Sequence, residues 1–108
     1  MAGHNYKLIV TIVSKGKAGR VVDVAHEAGA SGGTILLGHG AAVRLLLGIS
    51  IDPEKEIVLT VIGEDKLQEV LDAISFEMEL DSPNKGLAFV LSLDRVVGFS
   101  ETTEDEEY

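Results

Sequence analysis

Residues 55–74 read KEIVLTVIGEDKLQEVLDAI, and two hydrophobic periods meet in this stretch. Its first half, Ile57, Val58, Leu59, Val61 and Ile62, is an almost unbroken apolar run rich in β-branched side chains, which predicts a buried strand over residues 55–62. Beyond Gly63 the period changes. Leu67, Val70, Leu71, Ile74 and then Met78 recur at helical spacing and mark one face of a helix. Asp65 with Gln68 three positions later resembles a capping box at the start of that helix.

Working outward, KLIVTIV at residues 7–13 reads as an inner strand and SKGK at 14–17 as the turn after it. From Arg20, the residues Val21, Val22, Ala25 and Ala28 follow helical spacing, with Asp23, His26 and Glu27 opposite them; Gly29 is placed to end that helix. GTILLG at 33–38 is the next strand. Downstream of residue 80, DSPNK is a turn cluster, GLAFVLSL at 86–93 a fourth strand, and residues 96–99 a short hydrophobic segment. The order strand, helix, strand, strand, helix, strand predicts an α+β, ferredoxin-like βαββαβ fold, with a four-stranded antiparallel sheet and both helices on one face. Strands that are continuously apolar ask for burial on both sides, whereas two helices cover one side only. Self-association through the other sheet face is the expected consequence.

The chain has 108 residues, enough for one core, read here as a single domain over residues 1–100 followed by an acidic tail, ETTEDEEY, at 101–108. The tail is either a solvated, mobile end or an acidic arm that docks on a basic partner or folds back on the body. It supplies five of the negative charges behind the formal net charge of −9. An acidic body disfavours nucleic-acid binding, which draws on lysine and arginine at phosphates. A polar N-terminus and apolar runs of no more than strand length give no support for secretion or membrane insertion, and the absence of cysteine permits a reducing cytoplasm.

The chemistry-bearing residues are sparse. GGTILLGHGAAVRLLLGI at 32–49 is rich in glycine but has neither the Gly-Lys-Ser/Thr ending of a phosphate loop nor the strand–glycines–helix layout of a dinucleotide site. Gly38, His39 and Gly40 close a strand either as a plain bend or as a backbone that can approach an anion. Gly32 and Gly33 read as the turn into that strand. His4, His26 and His39 show no metal-ligand spacing, the serines have no nucleophile elbow, and no matched pair of carboxylates stands out, so an enzyme is not expected. Lys15, Lys17 and Arg20 form a small basic cluster, which is either a solvated turn or a phosphate contact across a subunit boundary. Val43, Arg44, Leu45, Leu46 and Leu47 form a greasy connection that either packs on the body or presents a partner-binding patch.

The segments KLIVTIVSKGKAGRVVDVAHEAGASGGTILLGHG, EKEIVLTVIGEDKLQEVLDAI and GLAFVLSLDRVVGF span nearly the whole domain, and in this order they resemble the PII-like family, the superfamily of the nitrogen-regulatory signalling protein PII. The resemblance implies a cytoplasmic homotrimer with inward-facing sheets, and a non-enzymatic regulator of a partner protein, with nitrogen metabolism the pathway it offers. It also implies a small-molecule effector bound in clefts between subunits, with no cofactor required. Gly38, His39 and Gly40 would lie at the base of the signalling loop, Gly33 and Thr34 near a nucleotide's ring, and Lys85 and Gly86 in the opposing loop. The chain departs from PII in three respects. Its loop at 41–53 is shorter and lacks a tyrosine, Leu87 stands where PII has a lysine, and GFSETTE replaces the terminal arginines. Fewer cations suit a less charged effector, ADP or AMP in preference to ATP, or another small metabolite. The alternatives are a trimeric metal-tolerance protein of the CutA type and an assembly module with no effector.

Overall fold

The β-branched run at the start of the chain becomes one of two central strands. The computed structural model describes residues 5–31, 33–37, 55–83 and 85–98. In chain order the elements are β1 (Tyr6–Ser14), α1 (Ala18–Glu27), β2 (Thr34–Leu37), β3 (Lys55–Gly63), α2 (Glu64–Glu77) and β4 (Leu87–Leu93). The sheet order is β2-β3-β1-β4 and every pairing is antiparallel. This is the expected ferredoxin-like arrangement.

Residues opposite one another in an antiparallel ladder share a face, and successive residues alternate faces. Ile9, Thr11 and Val13 therefore look the same way as Val58, Thr60 and Ile62. On that side Ile9, Val13, Val58 and Ile62 join Val21, Val24, Ala25, Val70 and Ile74 in one buried cluster beneath both helices. Each of the valine and isoleucine side chains contributes about 1.5–3 kcal/mol of transfer free energy. Val24, which the helical spacing had not singled out, is part of this core. Asp23, His26 and Glu27 are at least partly exposed, on the side away from it.

The opposite face is formed by Leu8, Val10 and Ile12. Each is flanked by an apolar residue on both sides: Val61 and Leu91, Leu59 and Phe89, Ile57 and Leu87. Leu36 of β2 extends this surface beside Ile57. Only Val10, Ile12 and Ile57 are buried there, while Leu36, Leu87 and Leu91 are 42%, 39% and 47% exposed. Among the described residues no helix packs on this face, as the two-sided hydrophobicity of the strands predicted.

The helix starts differ from the sequence reading. Asp65 and Gln68 do not form a capping box: β3 runs straight into α2 through Gly63, and the first helical residue is Glu64. The Gln68 amide instead donates along the helix to Asp72 Oδ1 at 2.8 Å. Asn5 takes over the capping role, its carbonyl accepting the Glu64 N–H at 2.8 Å while its side-chain amide donates to Glu64 Oε1 at 3.0 Å. Helix α1 begins at Ala18, two positions earlier than read, because the Ala18 N–H finds the Glu56 carboxylate of β3 at 2.9 Å. Both caps come from residues remote in sequence. At the far end of α1, Gly29 adopts a φ of 126°, which is the turn expected of it.

Candidate functional site

Four strand ends converge at one pole of the sheet. Ser14 at the end of β1 lies opposite Lys55 at the start of β3, Leu37 at the end of β2 lies opposite Glu56, and Leu87 at the start of β4 lies opposite Ile12. The connection from β2 to β3 leaves from this pole, and the turn between α2 and β4 reaches it. Gly38, His39 and Gly40, together with Val43, Arg44, Leu45, Leu46, Leu47 and the acidic tail, lie outside the described residues.

The turn before β4 is held down by Gly86. Its φ is 134°, and a Cβ at this position would sit 2.5 Å from the Ile12 carbonyl oxygen. Glycine alone allows the chain so close to β1. Lys85 is thereby set beside the β1–α1 turn, itself closed by a hydrogen bond from the Lys17 N–H to the Ser14 carbonyl at 3.1 Å. A cleft of about 220 Å³ results, lined by Ser14, Lys17, Met78, Glu79 and Lys85.

Glu79 shapes this cleft through the end of α2. The Leu80 N–H reaches the Ser75 carbonyl at 3.0 Å and the Glu79 N–H reaches that of Phe76 at 3.2 Å, the pair of bonds that closes a helix in a Schellman motif. The residue at the turn needs left-handed backbone, and Glu79 has a φ of 56°. Glycine is the usual occupant, and any other side chain costs about 1 kcal/mol or more there. From that position the Glu79 carboxylate meets Lys85 Nζ at 3.5 Å.

The basic cluster read at residues 15–20 is divided by the fold. Arg20 is committed to Glu77 of α2 at 2.6 Å, Lys17 lines the cleft, and Lys15 stays exposed in the turn. His26 faces its own helix end, with Nδ1 3.1 Å from the Ala30 carbonyl oxygen. A second hollow, about 410 Å³, lies on the outer side of α2 beside the exposed Phe76, rimmed by Asp72, Glu79 and Asp81. Carboxylates make that hollow unsuited to an anion. Among the described residues no group of three or more His, Asp or Glu side chains is placed to hold a metal ion, and no helix is long and apolar enough to cross a membrane.

Gly33 and Thr34 lie elsewhere. They enter β2 at the opposite edge of the sheet, where Thr34 pairs with Leu59. A Cβ on Gly33 would press on the Leu59 carbonyl oxygen at 3.3 Å and on Val58 Cγ1 at 3.4 Å. Between them and Lys85 stand β3 and β1, so three strand spacings, about 14 Å, separate the two groups. One copy of the chain does not bring Gly33 and Thr34 together with Lys85 and Gly86. Sequence reasoning missed Ser14 and Glu79 as cleft residues; neither carries a motif, and only the folding of α2 back onto the β1–α1 turn joins them.

Neither a family model nor a curated protein sequence matches the chain. Its fold is nevertheless that of known signalling proteins. A PII-like signalling protein from Thermus thermophilus superposes with a TM-score of 0.62 at 18% identity, covering 82% of this chain and 86% of its own. GlnK of B. subtilis, in complex with ATP, gives 0.61 at 16%, with 83% and 85% covered. CPII from Thiomonas intermedia, bound to ADP and bicarbonate, gives 0.56 at 20%, with 84% and 90% covered.

Proposed function

We propose that this chain is a PII-like signal-transduction protein, a cytoplasmic, non-enzymatic homotrimer that binds a small effector between subunits and thereby regulates a partner protein. The observation that carries the reading is the division of the candidate residues between two edges of a sheet whose open face is apolar. Packing such faces together would bury Leu36, Leu87 and Leu91, each about half exposed in one copy, for about 1 kcal/mol apiece. It would also bring the β2 edge of one protomer, with Gly33 and Thr34, toward the β4 side of the next, with Lys85 and Gly86.

In this reading Gly38, His39 and Gly40 complete the effector cleft, and Val43, Arg44, Leu45, Leu46 and Leu47 meet the partner. The effector is an adenine nucleotide of modest charge, ADP or AMP before ATP, because the described pole offers lysines and no arginine free of an ion pair. The fold shared with CPII bound to ADP and with GlnK bound to ATP supports an adenine nucleotide as such, while the order among them rests on charge alone, and nitrogen metabolism is a candidate pathway. An effector can shift the loop only in proportion to its preference for one loop state.

The test combines sedimentation with thermal denaturation. A trimer at micromolar concentration whose melting temperature rises with ADP or AMP is expected, since a ligand bound by the native state alone stabilises it. A monomer would overturn the assembly, and no shift with any adenine nucleotide would overturn the effector.

A further inference from the structure

The outer surface of α2 carries an aromatic ring that the core does not use. Phe76 is 79% exposed, whereas Val70 and Ile74 of the same helix are fully buried. A single apolar side chain on a surface needs no explanation, but this one borders a hollow of about 410 Å³ formed with Asp72, Ser75, Glu79, Asp81 and Ser82. Apolar surface rimmed by polar groups marks contact sites. Asp65, Glu69, Asp72 and Phe76 are spaced by four, three and four positions and all are exposed, so they form one stripe about 16 Å long that leads into the hollow.

The charge around the ring has one sign. Three carboxylates line the hollow and no cation does. Glu79 leans away toward Lys85, but Asp72 meets the neutral amide of Gln68, and Asp81 has no ion pair among the described residues. We propose that the Phe76 hollow is a docking site for an arginine-bearing segment of a partner protein. A guanidinium can stack its plane on the ring while its N–H groups reach the carboxylates, which a compact ammonium cannot do equally well. The stripe is longer than one side chain, so Asp65 and Glu69 are placed for further cations of the same segment. Charge excludes the nearest alternatives: the chain's own tail carries five carboxylates, and a second copy has the same formal net charge of −9. Helix α2 packs on the sheet face opposite Leu8, Val10 and Ile12, so association through that apolar face leaves the hollow uncovered. The proposal does not depend on an effector.

The experiment follows backbone amide shifts of Asp72, Ser75, Phe76, Asp81 and Ser82 in the full-length ¹⁵N-labelled protein, without nucleotide and at constant ionic strength. The probes are a capped peptide of alternating arginine and alanine, its lysine counterpart, and free arginine amide. The arginine peptide should give saturable shifts at these amides, and the lysine peptide should bind roughly two- to five-fold more weakly, the scale of stacking at an exposed ring. Phe76→Ala should weaken the arginine peptide roughly ten-fold or more while leaving the urea midpoint in place, because the ring is not part of the core. Joint Asp72→Asn and Asp81→Asn replacement should weaken it roughly three- to ten-fold and flatten its salt dependence. Absence of saturable shifts, equal affinity for the two peptides, or an affinity unchanged by Phe76→Ala would overturn the proposal. Free arginine amide binding as tightly as the peptide would assign the hollow to a small cation instead. A sedimentation coefficient altered by Phe76→Ala without any peptide would assign it to a second copy, and a lowered urea midpoint would return the ring to the chain's own packing; each of these also overturns the proposal.

Discussion

Replacing Gly86 by Ala tests how the candidate cleft is held together. The added Cβ would stand 2.5 Å from the Ile12 carbonyl oxygen and 3.2 Å from Val13 Cγ1, on a residue whose φ is 134°. Two costs combine. Forcing alanine into this backbone region costs about 1–3 kcal/mol. Relieving the contact requires the chain to move away from backbone rather than from a flexible side chain, which weakens the pairing of Ile12 with Leu87 by one net hydrogen bond, about 0.5–1.5 kcal/mol. The expected loss is therefore about 2–4 kcal/mol, a large part of the roughly 5–15 kcal/mol that holds an ordinary domain together. Urea unfolding at fixed protein concentration should show it as a lower midpoint with an unchanged slope, and the melting temperature should fall by roughly 10–20 °C. Gly16→Ala is the matched control: its φ is 92°, yet nothing lies within 4 Å of the added atom, so it carries the backbone cost alone. A Gly86→Ala loss below about 1 kcal/mol, or one no larger than that of Gly16→Ala, would refute the close approach of this turn to β1.

Leu91→Asp puts a carboxylate on the open sheet face at a half-exposed position; the isolated fold should survive, and sedimentation should show dissociation, since burying an unpaired carboxylate costs several kcal/mol per copy. Glu56→Ala removes the acceptor for the Ala18 N–H and should destabilise by about 1 kcal/mol, with faster hydrogen exchange confined first to the start of α1. Thr60→Val should stabilise by about 1 kcal/mol in urea titration, because the Thr60 hydroxyl is fully buried with no hydrogen-bond partner among the described residues. A destabilised Thr60→Val protein would mean that the hydroxyl has a partner.

Much of the fold was legible because hydrophobic period is a local property. The change of period at Gly63 separates β3 from α2 without reference to the rest of the chain, and the continuous apolar runs of β1 and β3 announced a second face in need of cover. The caps were not legible. Asp65 and Gln68 have the spacing of a capping box, but Asn5 and Glu56 do the work from across the fold, and no local pattern reports a partner about forty or more positions away. The basic cluster shows the same limit: Lys15, Lys17 and Arg20 are equivalent as letters, and only the packing of α1 against α2 gives Arg20 to Glu77 and leaves Lys17 at the cleft.

What the sequence determined by itself was the order of elements and the two-sided hydrophobicity of the sheet, because each depends on residues a few positions apart. The tertiary structure decided which side chains share a site. It set Gly33 and Thr34 at one edge and Lys85 and Gly86 at the other, and it placed Glu79 against Lys85 by ending α2 in a left-handed turn. These relations join distant residues through strand order and helix direction, so they exist only once the chain has folded.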